Sequence, residues 1–189
     1  MAKLSMQTPQ DLFAHELSDM LSAGRIIVQM LGDAEGMVQN PQLRQDIQRR
    51  RQESEQHIRN DEQVFQPLGL QSPKIECKGM MGIYDELKDG KKVNLPPMAQ
   101  DELVAGGAAK IEHYEIADST SLIDQGRALG QTDAVRLLQQ NLQQEERMPR
   151  AVDQAAQKLT QQFMAGAMQQ GRQPSANQQT MERMRQNRS

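Results

Sequence analysis

The chain is poor in the residues from which sheets and disulfide scaffolds are built. Only 3% of its 189 residues are aromatic and runs of β-branched residues are absent, so strands have little support. The one cysteine, Cys77, cannot close an internal disulfide. With no histidine or second thiol beside it in sequence, its expected role is that of a small buried residue. No run of about 18 apolar residues occurs, and the opening MAKLSMQTPQ carries no apolar core of signal-peptide length. A soluble, cytoplasmic protein without membrane contact is therefore expected. A formal net charge of −3 gives the body no dedicated nucleic-acid surface. Neither a glycine-rich phosphate loop nor a Ser-His-Asp pattern stands out.

What the chain does have is an abundance of helix formers (Gln, Ala, Leu, Met, Arg, Glu) and 37% hydrophobic content, enough for one core. The expected class is all-α. Thr8-Pro9-Gln10-Asp11 and Asn40-Pro41 each pair a capping residue with proline at the first helical position. They predict a first helix from 9 to 32, or on to 38, and a second from 41 to 66, antiparallel across a tight turn. Pro73, Gly79, Gly82, Gly90 and Pro96-Pro97 break residues 71 to 98 into a crossover, with a short helix from 79 to 87. A third helix is predicted over 99–127 and a fourth over 133–166, the latter kinked at Pro149. Two antiparallel hairpins joined by a long connection form a ferritin-like four-helix bundle with a short fifth helix in the crossover. The bundle domain is expected to span 1–167, followed by a disordered Gln/Arg-rich tail over 168–189. Arg172, Arg183, Arg185 and Arg188 are the only feature that would touch nucleic acid, and a solvated tail of this kind is usually only a tail.

Polar residues on the apolar stripes are the informative ones. Helix two reads Leu43, Ile47, Arg50, Ser54, His57, Asp61, Val64, apolar at both ends and polar through the middle, with Glu53 beside it. Helix four places Glu145 in the line Val135, Leu138, Leu142, Glu145, Pro149, Val152. In KIEHYEIAD, Glu115 shares a line with Val104, Ala108, Ile111 and Leu122, and Glu112 lies one turn away. His113 and Tyr114 fall to either side, as a boundary residue and a packing aromatic. Helix one carries Glu16 and Asp19 at the edge of its stripe. Counting outward from the two turns sets Glu16 and Asp19 near the level of Glu53 and His57, and Glu112 and Glu115 near Glu145.

Buried carboxylates gathered at one level repel one another, and either protons or divalent cations relieve them. One reading is a metal protein holding iron or manganese through Glu53, Glu112, Glu115 and Glu145, with His57 and either Glu16 or Asp19 completing the shell. The other is a non-enzymatic bundle whose carboxylates are satisfied by Arg50, Tyr114, protons and water. The second stands slightly ahead on catalysis, while metal occupancy itself is evenly balanced between them.

The segments DLFAHELSDMLSA, EQVFQPLG, the Cys77 crossover with Gly82 and Glu86, and above all KIEHYEIAD with its spacing to LLQQNLQQEE resemble the YciF-like family of stress-associated bacterial proteins. The likeness spans residues 8 to 163. It implies a ferritin-like bundle, often a homodimer, sometimes with metal at a carboxylate-rich centre. The chain departs from the family pattern at Leu21, Gly24, Arg50, Ser119 and Pro149, where the family tends to carry polar or ligating side chains. That leaves fewer groups than the four carboxylates and two histidines of a di-iron site.

Overall fold

The structure, a computed structural model, describes residues 6–66, 68, 75–146 and 149–172, without the side chains of 149–155, 167 and 169–172. Among the described residues six helices follow in order: α1 Pro9–Met37, α2 Pro41–Val64, α3 Lys78–Lys92, α4 Pro97–Ala128, α5 Thr132–Glu145 and α6 Pro149–Arg172. Among the described residues there is no strand, and no helix is long and apolar enough to cross a membrane.

Local chemistry starts and stops these helices. Thr8 and Asp11 form a reciprocal capping box at α1, each side chain accepting from the other's backbone N–H at 3.1 Å. Asn40 Oδ1 caps α2 by accepting from the N–H groups of Gln42 and Leu43. The turn between these helices is tied to the start of α4 by Asp101, which accepts from Gln39 N at 2.7 Å and Asn40 N at 3.1 Å. Gly130 closes α4 in the left-handed region (φ 69°), a conformation that a side chain would resist.

Helices α1, α2, α5 and α4 pack in a closed ring, each against the next, while α3 lies across α1 and α4 and α6 packs on α4. The fourth long helix expected over 133–166 is two helices. Proline lacks the N–H that a helix interior needs but suits a first turn, so Pro149 begins α6 instead of kinking one continuous element. Residues 147–148 lie outside the described residues. Helix α6 also runs past the expected boundary at 167, and the remainder of the tail, 173–189, lies outside the described residues.

Two apolar clusters fill the bundle. One gathers Ile27, Met30, Leu31, Leu43, Ile47, Met80, Tyr84, Leu87, Val104, Ile111 and Leu159. The other gathers Phe13, Leu17, Leu21, Val64, Phe65, Leu122, Ile123, Val135 and Leu138. Between them, Arg50, Ser54, His57, Glu112, Glu115, Ser119 and Glu145 are all buried. This polar belt is where the stripes of α2, α4 and α5 are interrupted.

Candidate functional site

The belt is assembled from three helices whose register follows from helical geometry. Residues 50, 54, 57 and 61 of α2 recur at steps of three and four, as do 112, 115 and 119 of α4 and 141 and 145 of α5, so each set lines one face. At its heart is Arg50, only 5% exposed. Its Nε donates to Glu112 Oε1 at 2.5 Å, and its Nη2 makes a second short bond to Glu115 Oε2. Desolvation works against the guanidinium charge, but Glu115, Glu112 and Glu145 outweigh it and hold the arginine firmly protonated.

Glu145 is oriented from one side by Ser119, whose Oγ donates to Oε2 at 3.0 Å, leaving Oε1 facing His57 Nδ1 at 3.5 Å. The imidazole is fixed from its other edge: Nε2 donates to Gln144 Oε1 at 2.9 Å, which leaves a lone pair on Nδ1. That nitrogen is buried and makes no hydrogen bond among the described residues, and Glu112 Oε2 shares its condition. Burial first, and then the charge of Arg50, push the imidazole down to a pKa of about 4, so His57 is neutral. Burial raises Glu115 and Glu145, their neighbouring carboxylates add to the shift, and Arg50 offsets part of it. Asp61, one turn beyond His57, is raised too by burial and by Glu145 and Glu115, and accepts from Asn141 Nδ2 at 2.8 Å.

A second polar group lies on the seam between α1, α3 and α4. Cys77 caps α3 and its Sγ is 3.1 Å from Tyr114 Oη, while its N–H donates to Ser22 Oγ at 3.0 Å. Burial raises the Cys77 thiol, with hydrogen bonding to Asp19 contributing. Asp118 is pushed up to about 6 by burial and by the charges of Asp19 and Glu16, and a hydrogen bond from Tyr114 partly restrains it.

The sequence-derived candidates therefore separate. His57, Glu115 and Glu145 come together, with one ligand atom of each within 4.8 Å of the others. Glu112 adjoins them without joining that group and, like Glu115, is bonded to Arg50. Glu53 is half-buried, and its charge acts on Glu112. Glu16 and Asp19 are half-buried and belong to the seam, because α1 turns Met20 toward the belt, where Ser119 Oγ approaches its Sδ at 3.8 Å. Counting along the helices gives height but not azimuth, and azimuth separates Met20 from its neighbour Asp19. Tyr114 likewise serves Cys77 and Asp118 and not the central carboxylates. His113 is exposed. Gly24 offers no ligand atom, and a Cβ there would lie 3.1 Å from Ile58 Cγ1.

A two-metal site does not fit this donor set. The guanidinium of Arg50 stands between Glu112 and Glu115, which would have to bridge or flank a second ion, and α1 contributes a thioether where a carboxylate would be needed. Sequence reasoning missed Asn141, Gln144 and Asp118. Asn141 was legible in principle, since it precedes Glu145 by four residues and so shares its face.

The family of the domain of unknown function DUF892 matches residues 8–165. Protein YciF of Escherichia coli strain K12 is 28% identical over 143 residues, 75% of this chain and 86% of its own length. The crystal structure of that E. coli stress protein superposes with a TM-score of 0.78 at 26% identity, over 82% of this chain and 99% of YciF. YcfI of Rhodopseudomonas palustris, to which a structural role has been provisionally ascribed, gives 0.76 at 27% identity over 81% and 98%. A protein of Xanthomonas campestris pv. campestris shares the fold at 17% identity and a TM-score of 0.69, over 85% and 99%. Matched over most of its length in sequence and in fold, the chain belongs to the YciF-like family defined by DUF892.

Proposed function

We propose that this is a stress-associated, non-enzymatic bundle protein whose interior carboxylates are balanced in part from within, by Arg50, and not by a pair of metal ions. The observation that carries the reading is the buried arginine bonded to both Glu112 and Glu115. The stress designation of the E. coli relative and the structural role ascribed to the R. palustris protein support it. In the same reading the protein is a cytoplasmic homodimer without nucleic-acid or membrane partners, in keeping with the family and with a net charge of −3.

Oxidation chemistry tests it. Purified protein supplied with ferrous ion and oxygen or peroxide should consume neither faster than a protein-free control. Catalytic consumption that disappears in Glu145→Ala would sink the proposal.

A second reading, a ferritin-like iron or manganese protein active in iron or peroxide handling, is favoured by one observation: the unpartnered Nδ1 of His57 beside Glu145. Under that reading the same assay shows turnover.

A further inference from the structure

We propose that the centre binds a single divalent first-row transition-metal ion through His57, Glu115 and Glu145, with Arg50 standing permanently in the place of a second cation. The inference rests on the reading above that Arg50 precludes a two-metal site, and goes beyond it in assigning an ion, its ligands and its route of entry.

Three independent features converge. The first is the orphaned donor. His57 is 4% exposed, its ring is locked by Gln144 at Nε2, and its Nδ1 lone pair points at Glu145 with no hydrogen bond from the described residues to satisfy it. A histidine ligand whose other ring nitrogen donates to a side-chain oxygen is how proteins set the tautomer and aim of a metal-binding imidazole. Glu145 is aimed in the same way, one oxygen held by Ser119 and the other facing the ring. With ligand atoms within 4.8 Å of one another, a small inward adjustment brings all three to the roughly 2.1 Å bonds of such an ion. One imidazole and two carboxylates suit manganese, ferrous iron or zinc.

The second feature is charge. Arg50 together with Glu112, Glu115 and Glu145 leaves two negative charges when these four are ionised, not counting Asp61, which lies one turn beyond His57 and is bonded to Asn141. A single dication balances them, whereas two would leave an equal excess of the opposite sign in a buried space. Arg50 thus sets the number of ions at one.

The third is access. Between α2 and α5 lies a groove of about 330 Å³ lined, among the described residues, by the amides of Gln56, Asn60, Gln140, Gln143 and Gln144. Gln144 belongs at once to this groove and to the His57 hydrogen bond. Its carbonyl and those of its neighbours offer uncharged oxygen to a partly dehydrated cation on its way to His57. Gln144 is accordingly a positioning residue, not a ligand.

The test uses the full-length chain stripped with chelator, desalted and titrated with Mn²⁺, with free ion counted by its electron paramagnetic resonance signal and folding monitored by circular dichroism. Wild type is expected to bind one Mn²⁺ per chain. His57→Ala should lose it, and the surface change Gln144→Leu should weaken it by about tenfold or more while the fold is kept. Arg50→Ala should take up a second ion. No binding by folded wild-type protein, or two ions per wild-type chain, overturns the proposal, as does a Gln144→Leu variant that binds as tightly as wild type. If Arg50→Ala does not fold without metal, the wild-type stoichiometry and the Gln144 variant decide. The two readings fail separately: turnover with ferrous ion overturns the non-enzymatic one alone, and absence of bound Mn²⁺ without turnover overturns this one alone.

Discussion

Among the described residues, two gatherings of acidic side chains in the bundle are handled in opposite ways. In the central belt Glu112, Glu115 and Glu145 are each at most 6% exposed, and an arginine is buried among them. On the seam, Glu16, Asp19 and Asp118 are half-buried and stand beside a phenol and a thiol. Depth accounts for the difference. A carboxylate that keeps part of its hydration tolerates a like charge nearby at the cost of a raised pKa, whereas one removed from water needs a counter-charge or a proton. The belt is thus the costly arrangement, and the natural place for an ionic function.

Removing the counter-charge is the most severe way to break this contrast. Arg50→Met keeps most of the side-chain volume but leaves Glu112 and Glu115 buried without their donor. Loss of one partner from a buried ion pair costs about 3–5 kcal/mol. We expect urea unfolding at pH 8 to show a loss of that size, shrinking at pH 5, where the orphaned carboxylates take up protons. A loss below about 1 kcal/mol at pH 8 would mean that the belt does not depend on Arg50.

How the belt was legible in sequence follows from the same residues. The interruption of an apolar stripe by Arg50, Ser54 and His57, and of another by Glu145, is a one-dimensional signal, because a core-facing slot filled by a polar residue repeats at helical spacing. What those residues touch is not one-dimensional. Arg50 and Glu112 are 62 positions apart, and their bond depends on the rotation of α2 relative to α4. The error over Glu16 and Asp19 has this origin: their height along α1 was fixed by the turn, but Met20 and not Asp19 rotates inward. The crossover gave the least warning. Cys77 acts as the cap of α3 and as a neighbour of Tyr114, a pairing that no periodicity encodes.

A milder change sharpens the seam side of the comparison. Tyr114→Phe keeps the ring but deletes the hydroxyl that lies against Cys77 Sγ and donates to Asp118. Because both partners retain some access to water, the loss should be about 1 kcal/mol, a fall of roughly 2–4 °C in melting temperature. A fall beyond about 8 °C would place the seam in the same energetic class as the belt.

The smallest effect is a pH dependence, and its sign separates the two regions. Asp118 has a folded pKa raised to about 6 from an ordinary 3.8, so the folded state binds its proton more tightly than the unfolded chain. Its contribution to stability is complete below about pH 4 and is lost as the pH rises through 6. A shift of two units corresponds to roughly 3 kcal/mol, but this carboxylate is half-exposed, and solvent screening reduces the figure to about 1. Asp118→Asn removes the titration while keeping the shape. Urea unfolding of the two proteins at half-unit steps should therefore show the wild type losing about 1 kcal/mol relative to the variant between pH 4 and 6.5, and nothing further above that. A difference that stays flat, or grows in favour of the wild type as the pH rises, would mean that Glu16 and Asp19 do not press on Asp118, and that the seam has a counter-charge of its own.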